Sequence, residues 1–262
     1  MNIVACIKQV PNTTDVKINP DTGTLQREGV DAVINPFDTY AVEEAIRLKE
    51  RMPGSKVYAL SMGPPQAEKA LRETLELGID EAILLSDRAF AGADTLATSY
   101  TLAAAIDKIG DVLIILCGKQ ATDGDTAQVG PGIAEHLGIP HIAYVKKIEK
   151  IDKKNIVVER MMEDGYDVIE APVPVLLTVV KEINEPRLPS LKLKIAARKK
   201  QIAVWNASCI SVDQARIGLD GSPTVVSKIF TPPARTGGEK LSSNPVQAAE
   251  ELIAKLKELK II

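Results

Sequence analysis

The chain has 262 residues, 45% of them hydrophobic, enough for one large or two modest domains with a buried core. Its 32 basic and 35 acidic side chains leave a net charge of −3, which excludes a nucleic-acid-binding face spread over the molecule and leaves any anionic ligand to be held locally. No apolar run approaches the roughly 18 residues that cross a bilayer, so membrane insertion is not expected.

The opening MNIVACIKQV reads as a strand that begins at once, with no basic leader expected before it. Short apolar runs at Asn2 to Ile7, Lys56 to Leu60, Ala82 to Leu85 and Val112 to Leu116 read as buried strands. Between them lie helical patterns. From Phe37 to Arg51 the residues Ala41, Val42, Ala45, Ile46 and Leu48 fall on one stripe. Asn35 is placed to cap that helix, Pro36 suits its first position, and Asp38 stands where a capping-box carboxylate reaches back. Pro64 to Leu77 and Asp94 to Ile109 repeat the design, closed by Gly78 and Gly110. Strand and helix in alternation predict an α/β fold: a doubly wound, mostly parallel sheet covered on both faces.

The stretch CGKQATDGDTAQVGPGIAEHLG, residues 117 to 138, follows the fourth strand. A helix beginning near Asp125 leaves the amides of Thr126, Ala127, Gln128 and Val129 free for phosphate oxygens, and Gly118 and Gly124 permit close backbone approach. Against this, Asp123 and Asp125 repel a phosphate, and Asp125 with Gln128 forms an ordinary capping box. An anion cradle and a plain capped helix both fit the spacing. Other strand-end loops, Lys8-Gln9, Ser61 to Pro64 and Gly92 to Thr95, converge on the same edge if the strands are neighbours, enclosing one nucleotide-sized ligand. Taken singly, Ser61 and Asp94 read more simply as helix caps.

No G-x-G-x-x-G follows the first strand, and no G-x-x-x-x-G-K-[ST] occurs. His136 and His141 have no metal-ligand spacing, and no Ser/His/Asp set is evident, so no catalytic or metal-ligating side chain is singled out. Three scattered cysteines, Cys6, Cys117 and Cys209, suit a reduced, cytoplasmic compartment.

After Pro140 the pattern becomes strand-like at His141 to Ile151, Asn155 to Met161 and Tyr166 to Val180, which predicts an antiparallel extension over about 141–183. Residues 184–200, NEPRLPSLKLKIAARKK, read as an exposed loop running into a basic helix. These complete a nucleotide-binding domain of residues 1–205. The tail, 206–262, has little self-packing until an amphipathic helix at Pro245 to Leu259.

Five separated segments carry a family resemblance: VACIKQVP, NPFDTYAVEEAIRLKE, SMGPPQAEKALRETLELGIDEAILLSD, GKQATDGDTAQVGPGIAEHLG and NEPRLPSLKLKIAARKK. Together they resemble the beta (small) subunit of electron transfer flavoprotein over nearly the whole chain. The resemblance implies a heterodimer with an alpha subunit that carries one FAD and exchanges electrons with dehydrogenases. It also implies an adenine nucleotide in this chain: structural AMP in mitochondrial-type members, or, in electron-bifurcating members, a second FAD that takes hydride from NADH. Asp38, the AGADT stretch at 91–95 and TDGDTAQVGP at 122–131 resemble the bifurcating group.

Carried over by position, the adenosine end is enclosed by Cys6, Asn35, Asp38, Ser61, Met62 and Gly63. The diphosphate lies over Thr126, Ala127, Gln128 and Val129, with Gly118, Asp123 and Asp125 in the same loop and Asp94 and Thr95 nearby. The partners implied are the alpha subunit, an acyl-CoA dehydrogenase-type protein that takes Leu191 as its anchor, and ferredoxin or flavodoxin as low-potential acceptor. The tail from Asn206 resembles an arm that wraps the alpha subunit. A free-standing adenine-nucleotide sensor is the rival of another class, and the basic loop and long tail speak against it.

Overall fold

Residues 1–12, 32–227 and 237–262 are described by the computed structural model. Short apolar runs become strands and amphipathic runs become helices in the order expected of a wound sheet. The first half runs β1 (Asn2–Cys6), β2 (Gln9–Pro11), β3 (Ala32–Ile34), α1 (Pro36–Arg51), β4 (Lys56–Met62), α2 (Glu68–Leu77), β5 (Glu81–Leu85), α3 (Thr95–Ile109), β6 (Val112–Gly118) and α4 (Val129–Leu137). It continues as β7 (His141–Ile151), β8 (Asn155–Met161), β9 (Tyr166–Pro172), β10 (Val175–Val179), α5 (Leu191–Lys199), β11 (Ala203–Trp205) and α6 (Pro245–Glu258).

One sheet of nine strands, in the order β11-β5-β4-β1-β6-β10-β7-β8-β9, organises residues Met1–Ser227. The pairs from β11 through β7 are parallel, and β7-β8 and β8-β9 are antiparallel. Strand β1 lies among parallel neighbours, and its Ile3, Val4 and Ala5 are fully buried, as a strand covered on both faces requires. Alternation along it sends Ile3 and Ala5 to one core with α1, α2 and Ala197 of α5, and Val4 and Cys6 to another with α3 and α4. Each fully buried Ile or Leu in these layers contributes about 1.5–3 kcal/mol relative to exposure.

Helix α1 buries the expected stripe Ala41, Val42, Ala45, Ile46 and Leu48. Helix α2 stops at Gly78, whose φ of 119° lets its N–H close on the Leu75 and Thr74 carbonyls. Helix α3 starts at Thr95 because the Asp94 carboxylate accepts the Leu96 and Ala97 N–H groups.

Several sequence expectations need correction. The run Tyr166 to Val180 is two strands, and the second, β10, belongs to the parallel sheet between β6 and β7. Val175 to Val179 is buried at every position, the mark of a central strand, so the antiparallel part is confined to β7, β8 and β9. The helix expected from Asp125 begins at Val129 instead, because Asp125 (φ 52°) and Ala127 (φ 53°) are left-handed. Asn35 makes no side-chain cap on α1. The hairpin of β2 and β3 and the edge strand β11 were not anticipated, being three residues each.

The stretch 206–227 packs into the same unit as the sheet, with Ala207, Ile210 and Ile217 buried in the core that holds α3 and α4. Lys228–Ile262 form a separate unit. Its helix α6 is capped by the Asn244 side chain on Val246 and Gln247 and carries a Lys255–Glu239 ion pair.

Candidate functional site: the carboxyl edge of the parallel strands

Parallel strands β5, β4, β1 and β6 end on one edge of the sheet, and the chain order reverses direction between β1 and β6. Loops diverge at such a switch point and leave a crevice. A cavity of about 840 Å³ lies at this edge, walled by Lys8 and the hairpin residues Val10, Pro11 and Ala32, by Met62 to Ala67 with Lys69, by Ser86 to Arg88 and Phe90 to Ala93, and by Asp123.

Helix α1 ties the crevice together from below. Asp38, 6% exposed, sits in its first turn and accepts two backbone hydrogen bonds: Oδ2 from Lys8 N–H at 2.7 Å and Oδ1 from Gly118 N–H at 3.2 Å. One carboxylate therefore joins the ends of β1 and β6. Burial pushes its pKa up to about 7, against the opposing hydrogen bonds from Asn35, Lys8 and Gly118. Asn35, 1% exposed, works on the same loop: Nδ2 donates to the Gln120 carbonyl at 2.9 Å and Oδ1 accepts from Thr122 N–H at 3.0 Å. The side chain expected to cap the helix thus anchors the glycine-rich turn.

Above these ties the turn is held by polar contacts. Lys8 Nζ pairs with Asp123 Oδ1 at 2.6 Å across the cleft, Gln120 donates to Asp125, and Thr95 Oγ1 donates to Gln128 Oε1 at 2.9 Å. Left-handed Asp125 and Ala127 mark a backbone kept in a sparsely populated conformation, a feature that clusters at ligand clamps.

Of the residues singled out from sequence, Met62, Gly63 and Asp123 line the cavity, together with Lys8. Asn35 and Asp38 lie beneath it as anchors. Ser61 is buried on β4, and its Oγ has no hydrogen-bond partner among the described residues. Cys6 faces Cys117 across the β1-β6 register; contact with Cys6 and burial push the Cys117 thiol up, which leaves it a poor nucleophile at neutral pH. Thr126 to Val129 are not part of the cavity wall. Asp94 has both carboxylate oxygens engaged by protein: Oδ1 by Leu96 and Ala97 N–H, Oδ2 by Thr224 N–H and Oγ1. Leu191 stands on α5 at 75% exposure.

Sequence reading missed Lys69, Arg88 and the Ser86 to Phe90 loop, although that loop follows a strand and so carried the same positional signal as the others. Lys69 and Arg88 add two cationic side chains to the wall beside Lys8. Among the described residues no cluster of His, Cys, Asp and Glu is arranged for a metal, and no helix is long and apolar enough to cross a membrane.

A wound α/β sheet with a roomy, cation-bearing cavity at the carboxyl ends of its parallel strands has the architecture in which open sheets of this class hold ligands. The family profile described as the electron transfer flavoprotein domain matches residues 22–209. The chain is 52% identical over 258 residues to the electron transfer flavoprotein subunit beta of Clostridium acetobutylicum, covering 98% of each chain. It is 51% identical over 263 residues to the caffeyl-CoA reductase-Etf complex subunit CarD of Acetobacterium woodii, covering all of both. It is 47% identical to protein FixA of Azotobacter vinelandii, over 98% of this chain and 94% of that one. The chain belongs to the electron transfer flavoprotein family, as one of its beta subunits.

Proposed function

We propose that this chain is the FAD-carrying beta subunit of a heterodimeric, electron-bifurcating flavoprotein that is reduced by NADH. The observation that carries the reading is the cavity at the carboxyl ends of β1, β4 and β5. Its volume of about 840 Å³ lies high in the ~300–1,000 Å³ range of cofactor pockets. Lys8, Lys69 and Arg88 in its wall suit an anionic dinucleotide. The buried Ser61 Oγ, without a hydrogen-bond partner among the described residues, and the kinked turn held by Asn35 suit a polar ligand rather than an apolar one.

In this reading Asp38 and Asn35 hold the strand ends in register, so that the glycine-rich turn, which reaches the cavity wall at Asp123, would border the diphosphate. Lys8 and Arg88 meet its charge, and Met62 and Gly63 cover the adenosine. Asp94 and Thr95 fix the start of α3 beside Gln128. When bound there, a flavin supplies the ability to take two electrons as hydride and release them one at a time.

An alpha subunit is the expected companion of a beta subunit. The helix α6 carries the exposed apolar residues Val246, Leu252 and Ile253, followed by Leu259 at its C-cap, the face such an arm would turn toward it. The name of the CarD relative supports an acyl-CoA-type redox enzyme as the further partner, with Leu191 as its anchor and ferredoxin or flavodoxin as second acceptor. The free cysteines Cys6, Cys117 and Cys209 agree with a cytoplasmic setting.

The test is nucleotide identity. Extraction from the co-purified pair should yield two FAD per heterodimer, with reduction by NADH. One FAD and one AMP would instead make the chain a non-bifurcating carrier subunit with a structural nucleotide.

A further inference from the structure

Residues 184–200 are fastened at both ends, and the stretch between the fastenings carries bare apolar side chains. At the front, Asn184 Nδ2 donates to Tyr40 O and Glu44 Oε2, each at 3.0 Å, and Arg47 Nη2 reaches the Glu185 carbonyl at 3.1 Å. The main tie is Arg187. Its backbone N–H and Nε donate to Glu43 Oε2 at 3.1 and 2.8 Å, and Nη1 and Nη2 donate to the Glu50 carboxylate at 2.7 and 3.2 Å.

The Glu43 side chain is 3% exposed and also accepts from Arg47 at 2.6 Å. Burial opposes its charge, but the Arg187 and Arg47 hydrogen bonds outweigh burial and hold its carboxyl below the usual range. At the far end Arg72 Nη1 donates to the Ala197 and Lys200 carbonyls at 2.9 and 3.1 Å, and Lys200 Nζ donates to the Ile79 and Asp80 carbonyls.

Between the ties, Leu188, Leu191 and Ile195 are 91%, 75% and 52% exposed; Leu191 and Ile195 are four apart on α5 and share a face, and Leu188 lies in the loop just before that helix. Exposed Lys192, Lys194, Arg198 and Lys199 surround them. A long flexible segment loses entropy when it docks, and fixing it beforehand removes that cost.

We propose that Arg187 is a positioning residue for docking: its fork onto Glu43 and Glu50 presents Leu188, Leu191 and Ile195 preformed to an apolar pocket with an acidic rim on the partner dehydrogenase. This rests on the reading of Leu191 as the docking anchor. Because Asp38 stands in the first turn of α1 and Asn35 just before it, one helix links the proposed nucleotide edge to the docking segment.

The experiment uses the co-purified heterodimer and compares wild type, Arg187→Lys, Glu50→Gln and the double variant Arg187→Met with Glu43→Gln, which leaves no buried carboxylate unpaired. In the double variant, amides of residues 188–196 should exchange at least about tenfold faster, as loss of charge-assisted hydrogen bonds implies. KM for the dehydrogenase should rise by a similar factor while kcat stays within about twofold and nucleotide content is unchanged. Arg187→Lys, which keeps the charge and loses the fork, should fall between; if the double variant fails to assemble, Glu50→Gln shows the same shifts at smaller amplitude. Unchanged exchange, or faster exchange with unchanged KM, overturns the proposal. Leu191→Ala, measured in parallel, separates the two ideas. If it raises KM and the Arg187 variants do not, only the positioning role fails; if it leaves KM unchanged, the docking reading falls and the proposal with it.

Discussion

Gly118 and Asp38 approach so closely that a Cβ on Gly118 would lie 2.4 Å from Asp38 Oδ1. The contact is not incidental. The same Oδ1 accepts the Gly118 N–H, so the hydrogen bond that joins α1 to the end of β6 exists only because residue 118 has no side chain.

Gly118→Ala should therefore be costly. Besides Asp38, the added methyl meets the Phe37 carbonyl carbon at 2.6 Å, and backbone does not give way as a flexible side-chain end does. Overpacking of this kind costs about 1–3 kcal/mol, with the hydrogen bond lost in addition. Denaturant unfolding should register that loss, and nucleotide retention should fall with it. A variant as stable as wild type would mean that α1 can back away from β6.

Asp38 gives a pH dependence with a definite sign. Its folded pKa is raised to about 7 because burial outweighs the hydrogen bonds made to it, whereas an unfolded carboxyl titrates near 4. Folding then favours the protonated form. The contribution is complete below about pH 4, declines as pH rises toward 7, and is constant above that. Relative to Asp38→Asn, the wild-type complex freed of nucleotide should lose on the order of a few kcal/mol across this window. Urea midpoints at several pH values check it, and parallel curves for the two proteins would show that Asp38 titrates normally.

Lys8 and Asp123 close over the cleft at 2.6 Å, with side chains 49% and 23% exposed. A pair this wet contributes no more than about 1 kcal/mol. Asp123→Asn should leave the melting temperature nearly unchanged while releasing Lys8 for an anionic ligand, so nucleotide binds a few-fold more tightly at low salt and the gain shrinks as salt is added. Equilibrium titration of the nucleotide-free complex is the measurement. Weaker binding would assign Asp123 a direct hydrogen bond to the ligand.

What the sequence disclosed, and what it hid, follows from the range of the forces involved. Helices α1, α2 and α3 are legible because their apolar periods are local, as are the Gly78 stop of α2 and the Asp94 cap of α3, and strands β1, β4, β5 and β6 because central parallel strands are continuous apolar runs. Strand β10 was assigned to the wrong part of the sheet because nothing in Val175 to Val179 says which neighbours it will find. The edge expected to bear the site was identified by position alone, after successive strands. Its internal wiring was not: Asn35 and Asp38 look like cap residues, and only the fold brings Gln120, Thr122 and Gly118 against them. The Arg187 fork spans 144 residues to Glu43, a separation at which no sequence pattern operates.

Asp94 poses the sharpest choice between a ligand contact and a scaffold. Its Oδ1 caps α3 through Leu96 and Ala97, and its Oδ2 takes the Thr224 N–H and hydroxyl at 3.1 and 2.8 Å, while its own N–H donates to Ser222 Oγ at 2.8 Å. With every strong acceptor direction used by the chain, little remains for a nucleotide. Asp94→Ala removes a cap worth about 1 kcal/mol and releases the Ser222–Thr224 segment from the start of α3. The expected result is a stability loss of about 1–3 kcal/mol, faster proteolysis near residue 224, and unchanged nucleotide content in whatever remains folded. Asp94→Asn, which keeps the cap but swaps one acceptor for a donor facing the Thr224 N–H, should recover only part of that loss. If either variant emptied the cavity of nucleotide at full stability, Asp94 would be a ligand-binding side chain and the tie to Thr224 a secondary contact.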